Sequence, residues 1–226
     1  MWSKPQCHKP YRSLKQPSIP ERPWNSISMD FMKKLLLSSR FDTILVIVDW
    51  LTKQAIFIPA HDTITSADLA CLFILYMFSK HGIPSYVTSN RNLEFVSNFF
   101  QSLGTALNMR LHFTLGYHPE GDGQTKHTHQ TLEQYFCVYC NYQQDNWSKL
   151  LLLVKFVYNN ALSATTSVSP FFTNKGYYPN ITVHPKHDIA SYWACNFAID
   201  LNKLQSTCYN QYLKNAAWRW VQDIML

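Results

Sequence analysis

Residues 27–60 read ISMDFMKKLLLSSRFDTILVIVDWLTKQAIFIPA. Ile27–Met32 is a short strand candidate, and Thr43–Val48 and Gln54–Ile58 are β-branched apolar runs, which predicts three strands in succession. Downstream, Thr65-Ser66-Ala67-Asp68 supplies capping and first-turn chemistry, and Leu69–Lys80 is apolar at helical spacing. Gly82-Ile83-Pro84 stops that helix. A short strand over Ser85–Ser89, a helix over Val96–Asn108 and a strand over Arg110–Thr114 complete an alternating β/α half. Gly121-Asp122-Gly123 breaks the chain, a long helix runs from Gln124 to about Tyr142, and Leu150–Asn160 forms another.

Composition bounds what such a chain can be. At 226 residues and 46% hydrophobic content it can bury a sizeable core, so disorder is excluded as the main state. Charged residues are only 15% while aromatics also reach 15%, which makes the surface poorly charged. A formal charge of +6 favours polyanionic partners without naming one. The longest apolar stretch, near Leu69–Phe78, is too short to span a bilayer, and no signal-peptide run opens the sequence, so a soluble, intracellular protein without a membrane partner is expected. The scattered cysteines fit reduced core thiols better than a disulfide framework. Residues 1–26 hold Pro5, Pro10, Pro17, Pro20 and Pro23 and read as an extended linker. The domain proper is expected over 27–180, with a tail over 181–226 that has helical character.

Three strands, a helix, a strand, a helix, a strand and then helices is the order of an α/β, ribonuclease H-like mixed sheet flanked by helices. Chemistry in that architecture draws carboxylates from the first strand, the end of the fourth strand and a late helix. Two divalent cations, about 3.5–4 Å apart, need oxygen ligands from all three. The residues at those places are Asp30, Asn90 and Lys126. Asparagine offers one neutral carbonyl oxygen, lysine offers none and adds a positive charge. The three together sum to zero charge where a full carboxylate set carries −3.

The segments Pro20-Glu21-Arg22-Pro23-Trp24, Ser28-Met29-Asp30-Phe31, Leu51-Thr52-Lys53, Tyr117-His118-Pro119, Asp122-Gly123-Gln124-Thr125, Tyr158-Asn159-Asn160 and Ser169-Pro170-Phe171-Phe172 resemble the integrase of gypsy-type LTR retrotransposons over about residues 10–180. The resemblance implies metal-dependent DNA strand transfer by an Asp, Asp, Glu triad whose last two members are separated by 35 residues, with magnesium or manganese as the metal. Asn90 and Lys126 are also separated by 35 residues, so the frame is intact and the substitutions fall on the catalytic positions. Only Asp30 remains as a metal ligand, and no cofactor is expected in this chain.

Asp to Asn at Asn90 and Asn92, Glu to Lys at Lys126, and Arg to His at His127 or to Trp at Trp50 can each arise by one transition in a codon. That pattern suggests decay of an element copy under deamination-like mutation, with selection for a noncatalytic role as the alternative. Rescue by a neighbour is not expected: Asp122 and Glu133 lie one and two turns away from Lys126, and Asp49 and Glu94 read as structural or solvated carboxylates. His127 and His129, about 200° apart on a helix, read as separate surface histidines. Cys137-Val138-Tyr139-Cys140 is a lone pair on a helix and reads as core cysteines rather than a zinc site. In the family a His/Cys zinc module precedes the core, and the N-terminal arm here starts after it, so no zinc is expected.

DNA contact is the remaining activity. Gln124, Lys126, His127 and Gln130 on the long helix, with Lys53 and Arg91, would present donors to phosphates, giving weak, nonspecific binding. A host-adopted DNA- or chromatin-binding module is one rival reading and a dimerisation remnant another, since cores of this family self-associate. A functional copy would act in the nucleus.

Overall fold

The computed structural model describes residues 19–114 and 123–180. Five strands form one mixed sheet: β1 (Ser26–Met32), β2 (Thr43–Asp49), β3 (Ala55–Ala60), β4 (Tyr86–Ser89) and β5 (Arg110–Phe113), in the order β3-β2-β1-β4-β5. β1, β2 and β3 are antiparallel neighbours, while β4 joins β1, and β5 joins β4, in parallel. The parallel joins need crossovers, and helices supply them. Between β3 and β4 run α1 (Ser66–Phe73), a π-helical segment (Ile74–Phe78) and α2 (Ser79–His81). Between β4 and β5 run α3 (Leu93–Val96) and α4 (Asn98–Ala106), and α5 (Gly123–Tyr139), α6 (Trp147–Asn160) and α7 (Pro170–Lys175) follow. This is the mixed sheet flanked by helices that the sequence led us to expect.

Alternation along the strands divides the interior in two. Ile27, Met29 and Phe31 of β1 join Leu45, Ile47, Ile56, Ile58 and Val87 under the helices that carry Leu69, Phe73 and Phe100. Met32, Ile44, Val46, Val48 and Phe57 face the other way, against Leu132 and Phe136 of α5 and Trp147, Leu151 and Val154 of α6. Covering on both faces explains why all seven residues of β2 are buried and why its sequence is a continuous apolar run. Trp24, inside the stretch read as linker, is already part of the first core.

Several boundaries differ from those read in the sequence, each for a local reason. The expected helix over Val96–Asn108 is broken at Ser97, whose backbone is extended and whose hydroxyl accepts the Phe100 N–H at 3.2 Å, so the serine caps α4 instead of continuing α3. The expected continuous helix over Leu69–Lys80 contains the π segment, which leaves Ile74, Leu75 and Phe78 in solvent while Met77 stays buried. Helix α5 ends at Tyr139, because Asn141 and Asp145 bond each other across a turn. The short α7 has no counterpart among the predicted elements; Ser169 caps it and Pro170 occupies its first turn, a signal present in the sequence. Thr65 and Asp68 form the expected capping box, and the Thr65 hydrogen bonds hold the Asp68 carboxyl below its usual range.

Two polar anchors fix the sheet's lower end, where β1 begins. Asp49 is fully buried and accepts from the Trp24 N–H at 3.0 Å, the Thr52 N–H at 2.9 Å and the Thr52 hydroxyl at 2.6 Å. It is therefore a structural carboxylate, tying the entry of β1 to the β2–β3 turn. Asp49→Ala would strand three donors in the interior, and urea denaturation is expected to show a loss on the order of 3 kcal/mol; a loss under about 1 kcal/mol would mean that water replaces the carboxylate. Asn159 of α6 grips β3, accepting from the Ala55 N–H at 2.8 Å and donating to the Ala55 carbonyl at 2.9 Å. Among the described residues no helix is long and apolar enough to cross a membrane.

Candidate functional site

Asp30 lies in the interior of β1 and is 8% exposed. It sits opposite Val46 of β2 and two residues beyond Ser28 on the same face of the strand. On the other side of β1, Met29 pairs with Ser89, the last residue of β4, so Asn90 emerges beside Asp30. The Asn90 Nδ2 donates to Asp30 Oδ1, which also accepts the Phe31 N–H at 2.8 Å. Asn90 Oδ1 accepts the Asn92 N–H at 3.1 Å, and this second bond fixes which end of the amide faces the carboxylate. The third position arrives on α5. Thr125 is buried and its hydroxyl donates to the Ser28 hydroxyl at 2.8 Å, which docks the first turn of α5 on β1 and leaves Lys126, the next residue, exposed at the rim. Strand, strand end and helix thus bring Asp30, Asn90 and Lys126 to one side of the sheet.

The chemistry of this set does not suit a pair of divalent cations. Asn90 turns its donor toward Asp30 and commits its one ligand oxygen to a backbone N–H, while Lys126 supplies an ammonium. Among the described residues no group of three or more His, Cys, Asp and Glu side chains is placed to hold a metal. Nearby carboxylates are engaged elsewhere at least in part. Glu94 holds Lys33 through Oε1 at 3.1 Å, its buried Oε2 having no hydrogen-bond partner among the described residues, and Lys33 also meets Asp62 at 3.0 Å. Burial opposes the Lys33 charge, but the hydrogen bonds to Asp62 and Glu94 prevail and raise its pKa. Asp49 belongs to the turn described above, and Asp122 lies outside the described residues.

The residues expected to contact phosphate do not form one surface. Lys126, His127, Gln130 and Arg91 are exposed, the last directly after Asn90. Gln124, in contrast, is half-buried on another side of α5, and its Oε1 is buried without a hydrogen-bond partner among the described residues. Lys53 is further removed. It occupies the β2–β3 turn with φ 64°, and its ammonium donates to the Trp50 carbonyl at 2.7 Å. Asp49 pairs with Ile27, three residues before Asp30, so this turn lies about 10 Å down the strand from Asp30. Burial also lowers the Lys53 pKa despite the Asp49 charge nearby.

Two further readings need correction. His129 is not a surface histidine: α5 turns it inward, its Nε2 is buried without a partner among the described residues, and burial pulls its pKa down to about 4. Cys137 and Cys71 are exposed, so they are not core cysteines, while Cys140 is half-buried and packs against the second core. A feature that sequence reasoning missed is His81, stacked on Trp24 with ring centroids 3.8 Å apart. Burial, then the charges of Lys175, Lys155 and Lys80, lower its pKa to about 4. Three lysines from α2, α6 and α7 share no sequence signal, because only the fold places them together.

No family model matches the chain. Over 180 residues, 80% of the chain, it is 33% identical to the Transposon Tf2-3 polyprotein of Schizosaccharomyces pombe, and equally to the Tf2-4 polyprotein. It spans only 14% of the length of either relative. Among solved structures, it is similar to a chain of the simian T-cell lymphotropic virus intasome in complex with PP2A regulatory subunit B56 gamma, with a TM-score of 0.59 and 17% identity over 81% of this chain and 66% of that one. The HTLV-2 integrase catalytic core domain in complex with magnesium superposes with a TM-score of 0.55 and 13% identity, covering 68% of this chain and 98% of that domain. The catalytic core domain of BIV integrase gives 0.51 and 16%, over 67% and 93%. The chain is therefore a homologue of part of the retrotransposon polyproteins, and it has the ribonuclease H-like fold of retroviral integrase catalytic cores.

Proposed function

We propose that this chain is a degenerate integrase core of the gypsy type that binds DNA weakly and without sequence preference and does not cut it. The observation that carries the reading is the Asn90 amide donating to Asp30 at the position where a second carboxylate would be needed. Asp30 is thereby held by hydrogen bonds, and Lys126 puts a cation at the rim where a phosphate backbone can meet it. The core domain is taken to begin at about Trp24, which is buried in the first core, rather than at residue 27, and a chain acting on chromosomal DNA would work in the nucleus.

Fluorescence anisotropy with a short duplex tests the DNA reading. The logarithm of affinity is expected to fall linearly with the logarithm of salt. Lys126→Ala and Arg91→Ala should each reduce the slope by about one. Binding that ignores salt, or that equals a neutral control protein, would sink the proposal. Self-association is a second reading, favoured by Ile74, Leu75, Phe78 and Leu93, which are all exposed, the last by 86%. HTLV-2 integrase cores are described in dimeric and trimeric forms; for this chain, sedimentation showing only monomer at high concentration would count against it.

A further inference from the structure

Helices α5 and α6 cover β1, β2 and β3 on one face of the sheet, but among the described residues no helix covers β4 and β5 there. The uncovered strands present Tyr86 and Thr88 beside Arg110 and His112, which are their register partners. A cleft of about 960 Å³ opens over them, walled by Glu21, Arg22, Ser26 and Trp50. The Arg110 guanidinium lies 5.4 Å from the centre of the Tyr86 ring and donates to the Tyr86 hydroxyl at 3.1 Å. The His112 ring, two residues along β5 from Arg110, lies nearly parallel to Tyr86 at 5.9 Å and 23°. A guanidinium, a phenol and an imidazole therefore cluster on one face of the sheet, and Arg110 and His112 are exposed. At the wall, the Trp50 Nε1 is buried without a hydrogen-bond partner among the described residues.

A peptide strand would pair along the backbone of β5, which borders the sheet, whereas the open face itself offers flat π-systems and cationic donors. Bases stack on such rings whatever their identity, and arginines take the phosphates between them. The cluster also continues into the site already described, since Thr88 is two residues before Asn90 and pairs with Ser28, two residues before Asp30. We infer that the open face of β4 and β5 is a stacking platform for an unpaired stretch of nucleic acid, with Tyr86 and His112 as base rests and Arg110 and Arg22 as phosphate contacts. The inference rests on the DNA-binding reading and extends it from the rim at Lys126 to a second, single-strand-selective surface.

The test compares a labelled oligothymidylate with a blunt duplex of the same length, bound to the full chain by anisotropy. In the Arg110→Ala, His112→Ala double variant, both positions being exposed, single-strand affinity is expected to fall about tenfold while duplex affinity changes less than twofold. Lys126→Ala should weaken both. Tyr86→Leu, checked for folding by circular dichroism, should match or exceed the double variant; if it unfolds, the double variant decides. Unchanged single-strand binding in the double variant, with duplex binding still sensitive to Lys126, would overturn the platform and leave the DNA reading standing. If the native chain binds neither oligonucleotide, both fall together.

Discussion

A chain carrying Asn90→Asp and Lys126→Glu together is expected to perform manganese- or magnesium-dependent strand transfer, or its reversal on a branched oligonucleotide, at least about 10³-fold faster than the native chain. The double change takes the formal charge of the three positions from zero to −3. It also removes the amide donor that now occupies Asp30 Oδ1. Each single revertant should remain near background. Asn90→Asp alone leaves an ammonium at the rim, and Lys126→Glu alone leaves the amide against Asp30. A thermal shift separates folding from chemistry: millimolar manganese should stabilise the double revertant by mass action and leave the native chain unmoved. Native activity equal to that of the revertant would refute the assignment and direct attention to another carboxylate, Asp122 first. If the revertant neither gains stability with manganese nor turns over, the geometry at Asp30 is not that of a working core.

Acid is expected to destabilise the chain well above the range in which carboxylates titrate. His129 and His81 are both held at about 4 in the folded protein, whereas an unfolded histidine titrates near 6.5. Below pH 6.5 the unfolded chain takes up protons that the folded chain refuses, so stability is complete above that pH and drains away as the pH falls toward 4. His129 alone should cost about 3 kcal/mol between pH 7 and pH 4. His81 is half-exposed, and solvent screening reduces its share to about 1 kcal/mol. Urea denaturation across this range provides the measurement. His129→Gln, which cannot charge, should remove most of the slope, and a slope that survives it would place the acid sensitivity elsewhere.

How much of this was legible beforehand depends on what each feature rests on. The strands β2 and β3 are legible because they are covered on both faces and so carry near-continuous apolar runs, whereas in β1 the apolar residues alternate with Ser28 and Asp30. The positions of Asp30, Asn90 and Lys126 followed from element order and spacing. Their contact did not, because the Asn90 amide finds Asp30 only through the parallel register of β1 with β4. Lys53 misled for the same reason in reverse: it is near Asp49 in sequence, but the antiparallel register carries that turn to the far end of the sheet. The burial of His129 is not legible from its angle to His127, which does not say which side of α5 faces the sheet; His129 lies four residues after Thr125 and three before Leu132, both buried, and so flanks the inward side. The open face of β4 and β5 had no sequence signature, since Arg110 and His112 look like any solvated pair until the helices are found to stop short of them.

The grip of Asn159 on Ala55 has a consequence for how copies of this chain can meet. β3 is a border of the sheet, and the Asn159 bonds identify Ala55 as a residue whose N–H and carbonyl point outward. Alternation makes Phe57 and Pro59 the next outward pair, and Pro59 has no N–H to give. An incoming strand would find its first rung already taken by a side-chain amide and its last rung lacking a donor, leaving one usable rung at Phe57. Zipper-like growth along that border is thereby blocked, and any assembly of this aromatic-rich protein through this side must proceed helix against helix.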